Sequence, residues 1–284
     1  MTAPDGPSSP ETIRTPDAWR VGVDLECPRR DAVGDHLLGG SLNSAIDHLF
    51  AADLVTAHLY LSQLAVAAAA WDRDAAQMML DRHIRHFLIL GTSGFPLWSS
   101  HCTLASLHDA QARIVVIEHD PVTQHLHGLV DGGAAADRAL VLHVPARRHH
   151  ALRQLREVAA LLACGAPVGI LATGLLRPDG LPLAMILSLL TAAPPGSILA
   201  LTSLTTTDQH PGHVAPIAAR FADAGIPIVV DDPAAVDAAL GPFRRLTPDA
   251  GEDGAAWASA LPTGPTLRTA VLTGCATTTY RTSR

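Results

Sequence analysis

Lysine is missing from this chain. All 20 basic residues are arginine, whereas 27 residues are acidic, which gives a formal net charge of −7 over 284 residues. Without lysine the protein has no lysine Schiff base for a carbonyl substrate and no Walker-A lysine for a phosphate. An acidic chain also lacks the basic face that nucleic acid requires, so we predict no nucleic-acid partner.

Cysteine and targeting signals are scarce as well. The four cysteines stand far apart and form no CxxC pair, which is typical of isolated thiols in a reducing compartment. The first residues lack the basic-then-apolar order of a signal peptide. The most apolar stretch, 181–201, is interrupted by Pro194, Pro195 and Gly196, so it cannot span a bilayer. We therefore expect a cytoplasmic protein with no membrane partner, and its oligomeric state does not follow from the sequence.

Sequence motifs for metal and hydrolytic chemistry are absent too. The 15 histidines form no HExxH motif and no His/Cys quartet, so the sequence predicts no metal site. There is also no GxSxG elbow, which argues against a Ser/His/Asp hydrolase.

A regular alternation of apolar runs and helical patterns is what the chain does have. Runs rich in Val, Ile and Leu recur, with helical segments between them, at 86–90, 113–118, 139–144, 167–173 and 197–203. This alternation predicts βαβ units and a parallel sheet that is covered on both faces. A final strand is predicted at 268–275, and a weaker one at 243–247.

Three regions follow from this pattern. Residues 1–30 are rich in proline, serine and charge, and we predict that they form a disordered tail. Residues 31–83 are helical in pattern, with one long amphipathic run over 45–70, and form a cap. Residues 84–284 form the α/β core. No linker separates cap from core, so 31–284 are predicted to be a single domain.

Two of the apolar runs end in residues suited to a nucleotide-type cofactor. Residues 87–94 read FLILGTSG, and a Gly-rich turn after a strand lets backbone N–H groups approach a ligand. Residues 114–121 read IVVIEHDP, which places Glu118 where a carboxylate can bind a ribose diol. Asp120 before Pro121 predicts an N-cap and the start of a helix.

Several further segments match one known family in the same order. Residues 33–47 read VGDHLLGGSLNSAID and contain the specific part of the match, an LLGG signature. The segments 87–92, 113–121, 167–171 and 194–203 match its first, second, fourth and fifth strands. Over about residues 30–275 the chain resembles the actinobacterial S-adenosylmethionine-dependent methyltransferases that were once catalogued as a domain of unknown function.

The resemblance implies a fold, a cofactor and a reaction. The fold would be α/β and class I methyltransferase-like (Rossmann-like), with a seven-stranded, mainly parallel sheet and an N-terminal helical cap. The cofactor would be S-adenosylmethionine, and the reaction a methyl transfer to a small-molecule substrate. Because the cofactor carries the electrophile, the protein mainly positions it and supplies a base for the acceptor.

The resemblance also implies functional residues. His36, beside the signature, would be the catalytic base on the acceptor side. Glu118 would accept hydrogen bonds from the ribose, and His119 would lie near the adenine. The implied cofactor-binding residues are Gly39, Gly40, Gly91, Thr92, Gly94, Glu118 and His119.

Many side chains that hold the cofactor in this family are replaced here. The acidic residue of the first loop is Ile89, and the signature lysine is Ser41. An Asn-Arg pair on the long helix aligns with Ala67 and Ala68. The further replacements are Ser93, His143, Pro145 and Arg177.

These replacements leave three functions open. The chain is a working methyltransferase that uses Glu118 and backbone groups, or a homologue that kept the fold as a binding or regulatory protein. The third alternative is an enzyme that uses the pocket for cofactor-independent acid/base chemistry, with His36, His119 or His143 as the acid or base.

Overall fold

Three helices precede an alternation of strands and helices. The computed structural model describes residues 26–91, 107, 110–124, 139–145, 152–172, 175–205, 214–245 and 267–273. The helices are α1 (Arg30–Leu37), α2 (Ala45–Ala57), α3 (Leu61–Asp81), α4 (Arg156–Leu162), α5 (Leu183–Ala192), α6 (Val214–Asp223) and α7 (Pro233–Leu240). The strands are β1 (His86–Leu90), β2 (Arg113–Glu118), β3 (Ala139–His143), β4 (Val168–Ala172), β5 (Ile198–Leu204), β6 (Arg244–Arg245) and β7 (Leu267–Thr273).

The strands form one sheet in the order β3-β2-β1-β4-β5-β7-β6. Strands β1 to β5 are mutually parallel. Strand β7 pairs antiparallel with β5, and β6 pairs antiparallel with β7. The predicted α/β fold with a parallel sheet is confirmed. The parallel part of the sheet has five strands, and the last two join one edge in the opposite direction.

Alternate residues of the strands are buried on opposite faces of the sheet. Leu88 and Leu90 of β1 pack into an apolar cluster with residues of α4, α5 and α7. Phe87 and Ile89 pack into a second cluster with residues of α3. Helices on both faces explain why these strands are continuous apolar runs rather than alternating ones.

The helical cap is broken where the sequence predicts one long pattern over 45–70. Helix α2 begins after Ser44, whose side chain accepts from the Asp47 N–H while the Asp47 carboxylate accepts from the Ser44 N–H, a capping box. Helix α2 ends at Ala57, and its C-cap residue His58 has a non-helical backbone (φ −139°, ψ 73°). The break places Leu54 and Leu64 in one apolar cluster that also contains Phe221 of α6.

The helices of the described ranges differ in length and hydropathy. None of them is by itself long and apolar enough to cross a membrane. Helices α2 and α3 meet the length and composition criteria only when taken together, and they are bent by 107° relative to each other.

The register of the central strands brings three chain segments to one edge. Leu90 of β1 lies opposite Ile117 of β2, so Gly91 and Glu118 follow side by side. Glu118 in turn lies opposite His143 of β3. The strand order reverses between β1 and β4, and open α/β sheets bind ligands at the carboxyl edge beside such a reversal.

Candidate functional site

Gly91 is the point of closest approach between the ends of β1 and β2. Its φ is +75°, a conformation that favours glycine, and its N–H donates to the Ile117 carbonyl at 2.8 Å. A Cβ at this position would lie 2.7 Å from Cε1 of His119, closer than real Cβ contacts. A side chain here would therefore displace the imidazole that covers the glycine. The predicted neighbours Thr92 and Gly94 lie outside the described residues.

Glu118 ends β2 as a fully buried carboxylate, with 0% of the residue exposed. Its backbone carbonyl accepts a hydrogen bond from Val144 N–H at 2.6 Å, which ties the end of β2 to the chain leaving β3. The next residue is held in the same way, because the carbonyl of His119 lies 3.2 Å from Nε2 of His143. Glu118, the residue predicted to bind the ribose, thus lies at the carboxyl edge, where these two contacts tie the end of β2 to β3.

Helix α1 brings a second acidic residue to Glu118. Ligand-type atoms of Asp31, Glu118 and His119 all lie within 4.8 Å of one another. The Asp31 carboxylate is 3.8 Å from Nε2 of His119, and the side chains of both residues are almost completely buried. The sequence analysis missed this group, because nothing in the spacing of Asp31 indicates that α1 packs against the end of β2.

Arg29 connects the cap to the same edge. Its backbone N–H donates to Asp47 at 2.6 Å, and its guanidinium pairs with Asp47 at 3.3 Å and with Asp120 at 3.1 Å. Arg29 and Arg30, the last residues of the predicted tail, therefore belong to a network of ion pairs, since Arg30 lies 3.5 Å from Asp31. The part of the predicted tail at 1–25 lies outside the described residues.

Asp120 caps the helical segment after β2, as predicted. Its carboxylate accepts from the Val122 N–H at 2.8 Å and from the Thr123 hydroxyl at 3.2 Å. Burial raises the pKa of Asp120, and the negative charge of Asp31 raises it further, while Arg29 opposes both effects. The edge around Glu118 is thus rich in buried negative charge.

The Gly39-Gly40 pair packs against Asp35. Gly39 has a φ of +76°, and a Cβ on Gly40 would overlap the Asp35 carboxylate. That carboxylate accepts from the Leu42 N–H at 2.7 Å and from the Asn43 amide at 3.0 Å. Burial raises the pKa of Asp35. A tight turn around Asp35 therefore explains why the signature has glycine at positions 39 and 40.

Comparison with known proteins decides the family. A profile described as S-adenosyl methyltransferase matches residues 17–252, which is most of the chain. The chain belongs to the S-adenosyl methyltransferase family. Among proteins with curated functions, none matches the sequence significantly.

Two solved structures share the fold of this family member. A DUF574 family protein from Streptomyces avermitilis is 18% identical, with a TM-score of 0.70 and coverage of 88% of this chain and 98% of that one. A Thermobifida fusca protein that has been proposed as a methyltransferase is 20% identical, with a TM-score of 0.69 and coverage of 92% and 99%. At this identity the likeness concerns the fold, and it supports the methyltransferase-like architecture.

His36, the predicted base, lies on α1 beside a second histidine. Its ring packs edge-on against His48 of α2, with ring centroids 4.5 Å apart. Partial burial and the neighbouring His48 lower the pKa of His36, whereas Asp35 raises it. A neutral imidazole near physiological pH is the form that a general base requires.

The first-loop position that is acidic in the family is apolar and inaccessible here. Ile89 is 2% exposed and belongs to the cluster that contains Trp71 and Ala75 of α3. Ala68, at the position of one of the family's polar helix residues, is buried as well. These replacements are part of a packed core, and they leave no carboxylate at position 89 for the methionine amine.

Arg177, which replaces a family histidine after β4, belongs to a separate buried cluster. Its guanidinium donates to the Leu181 carbonyl at 3.1 Å and pairs with Asp231. The Asp231 carboxylate also accepts from the Ser203 hydroxyl at the end of β5. Arg177 therefore links the segments that follow β4 and β5.

The residues present fit one end of S-adenosylmethionine better than the other. At the nucleoside end, Glu118 is a buried hydrogen-bond acceptor at the carboxyl edge, and Gly91 carries no side chain beneath the His119 ring. At the methionine end, the packed Ile89 offers no charge-assisted hydrogen bond. The residues present therefore fit the ribose and adenine of the cofactor.

Proposed function

We propose that the protein transfers a methyl group from S-adenosylmethionine to a small molecule, holding the cofactor mainly by its nucleoside. The observation that carries this proposal is the buried Glu118 carboxylate beside Gly91 at the carboxyl edge of the sheet. A ribose diol offers two hydroxyl donors to a carboxylate at this edge.

Each group at this edge has a defined task in the proposal. Glu118 accepts hydrogen bonds from the ribose hydroxyls, and the chain at Gly91 passes beneath the nucleoside. His119, whose ring covers Gly91, contacts the adenine edge. When bound, the cofactor supplies an electrophilic methyl group, so the chain needs only to orient the acceptor and to remove a proton from it.

His36 is proposed as the group that accepts this proton. Its lowered pKa keeps the imidazole neutral and able to take a proton near pH 7. His36 lies on α1, the helix that also carries Asp31 to the end of β2. This placement supports a role on the acceptor side of the pocket.

The replaced first-loop acid predicts weak cofactor binding. A charge-assisted hydrogen bond contributes about 1.5–3 kcal/mol. A family member with the acid would therefore bind about tenfold to 100-fold more tightly than this chain, since about 1.4 kcal/mol corresponds to a factor of ten.

Calorimetric titration with S-adenosylmethionine and S-adenosylhomocysteine tests the proposal. We expect Glu118→Ala to weaken binding by about 1.5–3 kcal/mol. Asp223→Ala, which removes an exposed carboxylate on α6, is the control and should bind like the wild type. Equal affinities of the wild type and Glu118→Ala for the cofactor would refute the proposal that Glu118 binds the ribose.

The acceptor class is tested with a cofactor that carries a labelled methyl group. The label should appear in low-mass products from a cell extract, and His36→Gln should slow its appearance without changing cofactor affinity. Transfer of the label only to protein or nucleic acid would contradict the small-molecule substrate.

A further inference from the structure

The cluster of Asp31, Glu118 and His119 has the composition of a metal site. It joins two carboxylates and one imidazole from α1 and the end of β2, with ligand atoms within 4.8 Å of one another. Carboxylate oxygen and imidazole nitrogen together suit divalent ions such as Zn²⁺, Mn²⁺ and Co²⁺. The tertiary fold brings these three residues together, so no linear sequence motif predicts the cluster.

Further buried carboxylates and two arginines surround this cluster. Asp47 and Asp120 pair with the Arg29 guanidinium, and Asp31 lies 3.5 Å from the Arg30 guanidinium. The cluster therefore lies in a part of the protein where carboxylates are concentrated.

An independent observation concerns the second oxygen of Asp31. The Asp31 side chain is 3% exposed, and its Oδ1 lies near Arg30 and His119. Within the described residues, no group donates a hydrogen bond to its Oδ2. A buried carboxylate oxygen without a donor is costly unless a ligand compensates for it.

The Asp31–His119 distance fits coordination better than hydrogen bonding. At 3.8 Å, Asp31 Oδ1 and His119 Nε2 are too far apart for a hydrogen bond. Two ligands of a tetrahedral zinc ion, each about 2.0–2.2 Å from the metal, lie about 3.3–3.6 Å apart. Small rotations of three side chains would bring the cluster to that size.

We propose that Asp31, Glu118 and His119 bind one divalent transition-metal ion between α1 and the end of β2. The ion offsets the negative charge of its two carboxylate ligands and holds α1 against the sheet. Three protein ligands leave a fourth position for water or for an oxygen atom of a small molecule. Glu118 and His119 also serve the proposed cofactor site, so the metal site borders that site, whereas Asp31 belongs to the metal site alone.

The first experiment titrates the chelator-treated full chain with Zn²⁺ in the calorimeter, without cofactor. We expect one high-affinity ion per chain. Asp31→Asn should weaken this binding about 100-fold or more, because loss of an outer-shell partner alone costs about 10–100-fold. Asp223→Asn, on an exposed part of α6, should bind Zn²⁺ like the wild type.

The second experiment uses Co²⁺ as a spectroscopic probe of the wild-type chain. Coordination by His119 should give visible absorption bands that saturate at one ion per chain. His119→Gln should lose them, and His83→Asn, which changes an exposed histidine, should keep them. The wild-type spectrum decides the matter even if a variant fails to fold.

Three results would overturn the metal site. They are the absence of a stoichiometric Zn²⁺ or Co²⁺ complex, an unchanged affinity in folded Asp31→Asn, and equal effects of the His119 and His83 substitutions. The proposed methyl transfer is tested separately by the Glu118→Ala cofactor titration of the chelator-treated chain, and Asp31→Asn should leave that metal-free titration unchanged. The two proposals can therefore fail independently.

Discussion

Two buried charged clusters lie beyond the parallel strands, and they are built in opposite ways. After β4 and β5, the Arg177 guanidinium pairs with the Asp231 carboxylate, which also accepts from Ser203. At the end of β2, the carboxylates of Asp31 and Glu118 lie together with an imidazole. The first cluster is balanced within the protein. The second joins two carboxylates and one imidazole with the geometry of a metal site, and within the described residues the Oδ2 of Asp31 accepts no hydrogen bond. These two observations, rather than burial alone, indicate a ligand.

The contrast between the two clusters is tested most strongly by placing an unpaired charge in the apolar core. Ile89→Asp would put a carboxylate among Trp71 and Ala75 without a partner. Burial raises the pKa of such a group by up to 3–5 units, so we expect a loss of about 4 kcal/mol or more in the free energy of unfolding. Urea denaturation measures this, and Ile89→Val should cost only about 1 kcal/mol.

Cofactor affinity gives Ile89→Asp a second measurement. We expect S-adenosylmethionine to bind at most about tenfold more tightly to the variant, because one restored hydrogen bond is offset by the cost of keeping a buried carboxylate ionised. A variant as stable as the wild type, with strong stabilisation by the cofactor, would show that position 89 is not part of a closed core.

The balanced cluster is tested by removing one of its partners. Arg177→Ala leaves Asp231 without its guanidinium, and breaking a buried ion pair in this way costs about 3–5 kcal/mol. Arg220→Ala is the matched control, because the pair of Arg220 with Asp53 is about half exposed and should contribute less than about 1 kcal/mol. Similar losses in the two variants would contradict a structural role of the Arg177 cluster.

The cluster of Asp31, Glu118 and His119 should respond to a metal ion. At a Zn²⁺ concentration about 100 times the dissociation constant, the free energy of unfolding should rise by about 2.7 kcal/mol. Thermal unfolding with and without the ion measures this gain. We expect Asp31→Asn to lose it. A variant of the balanced cluster, Ser203→Ala, should retain it, and loss of the gain in both variants would contradict the comparison.

The smallest expected effect concerns the histidine pair between α1 and α2. Burial and His48 lower the pKa of His36, so the unfolded chain takes up this proton at a higher pH than the folded protein does. The stability contributed by neutral His36 is present above pH 6.5 and is lost as the pH falls through that value. His36→Gln should flatten the pH dependence of unfolding, and His83→Asn should leave it unchanged. Equal slopes for wild type and His36→Gln would contradict the lowered pKa.

Much of the fold was predictable because its signals are local. The strands predicted at 86–90 and 113–118 coincide with β1 and β2, since uninterrupted apolar runs of this length are typical of strands covered on both faces. The long amphipathic run over 45–70 was predicted without a break. The non-helical His58 divides it, because two helices bent against each other bury more of the apolar residues than one straight helix.

The site was only partly predictable. Glu118 and Gly91 follow strands, so the sequence places them at the carboxyl edge, and the register confirms that they are neighbours. The approach of Asp31 and Arg29 depends on how α1 packs against β2, and the pairing of Arg177 with Asp231 joins two distant segments. Tertiary contacts of this kind leave no periodic or spacing signal in the sequence.

A crystal structure of the complex with S-adenosylhomocysteine tests the central claim most directly, namely that the carboxylate cluster at the end of β2 marks the ligand site. We predict that the ribose hydroxyl oxygens lie within about 3 Å of the Glu118 carboxylate, with the nucleoside above Gly91. A ligand bound at another edge of the sheet, or a ribose without contact to Glu118, would contradict the account.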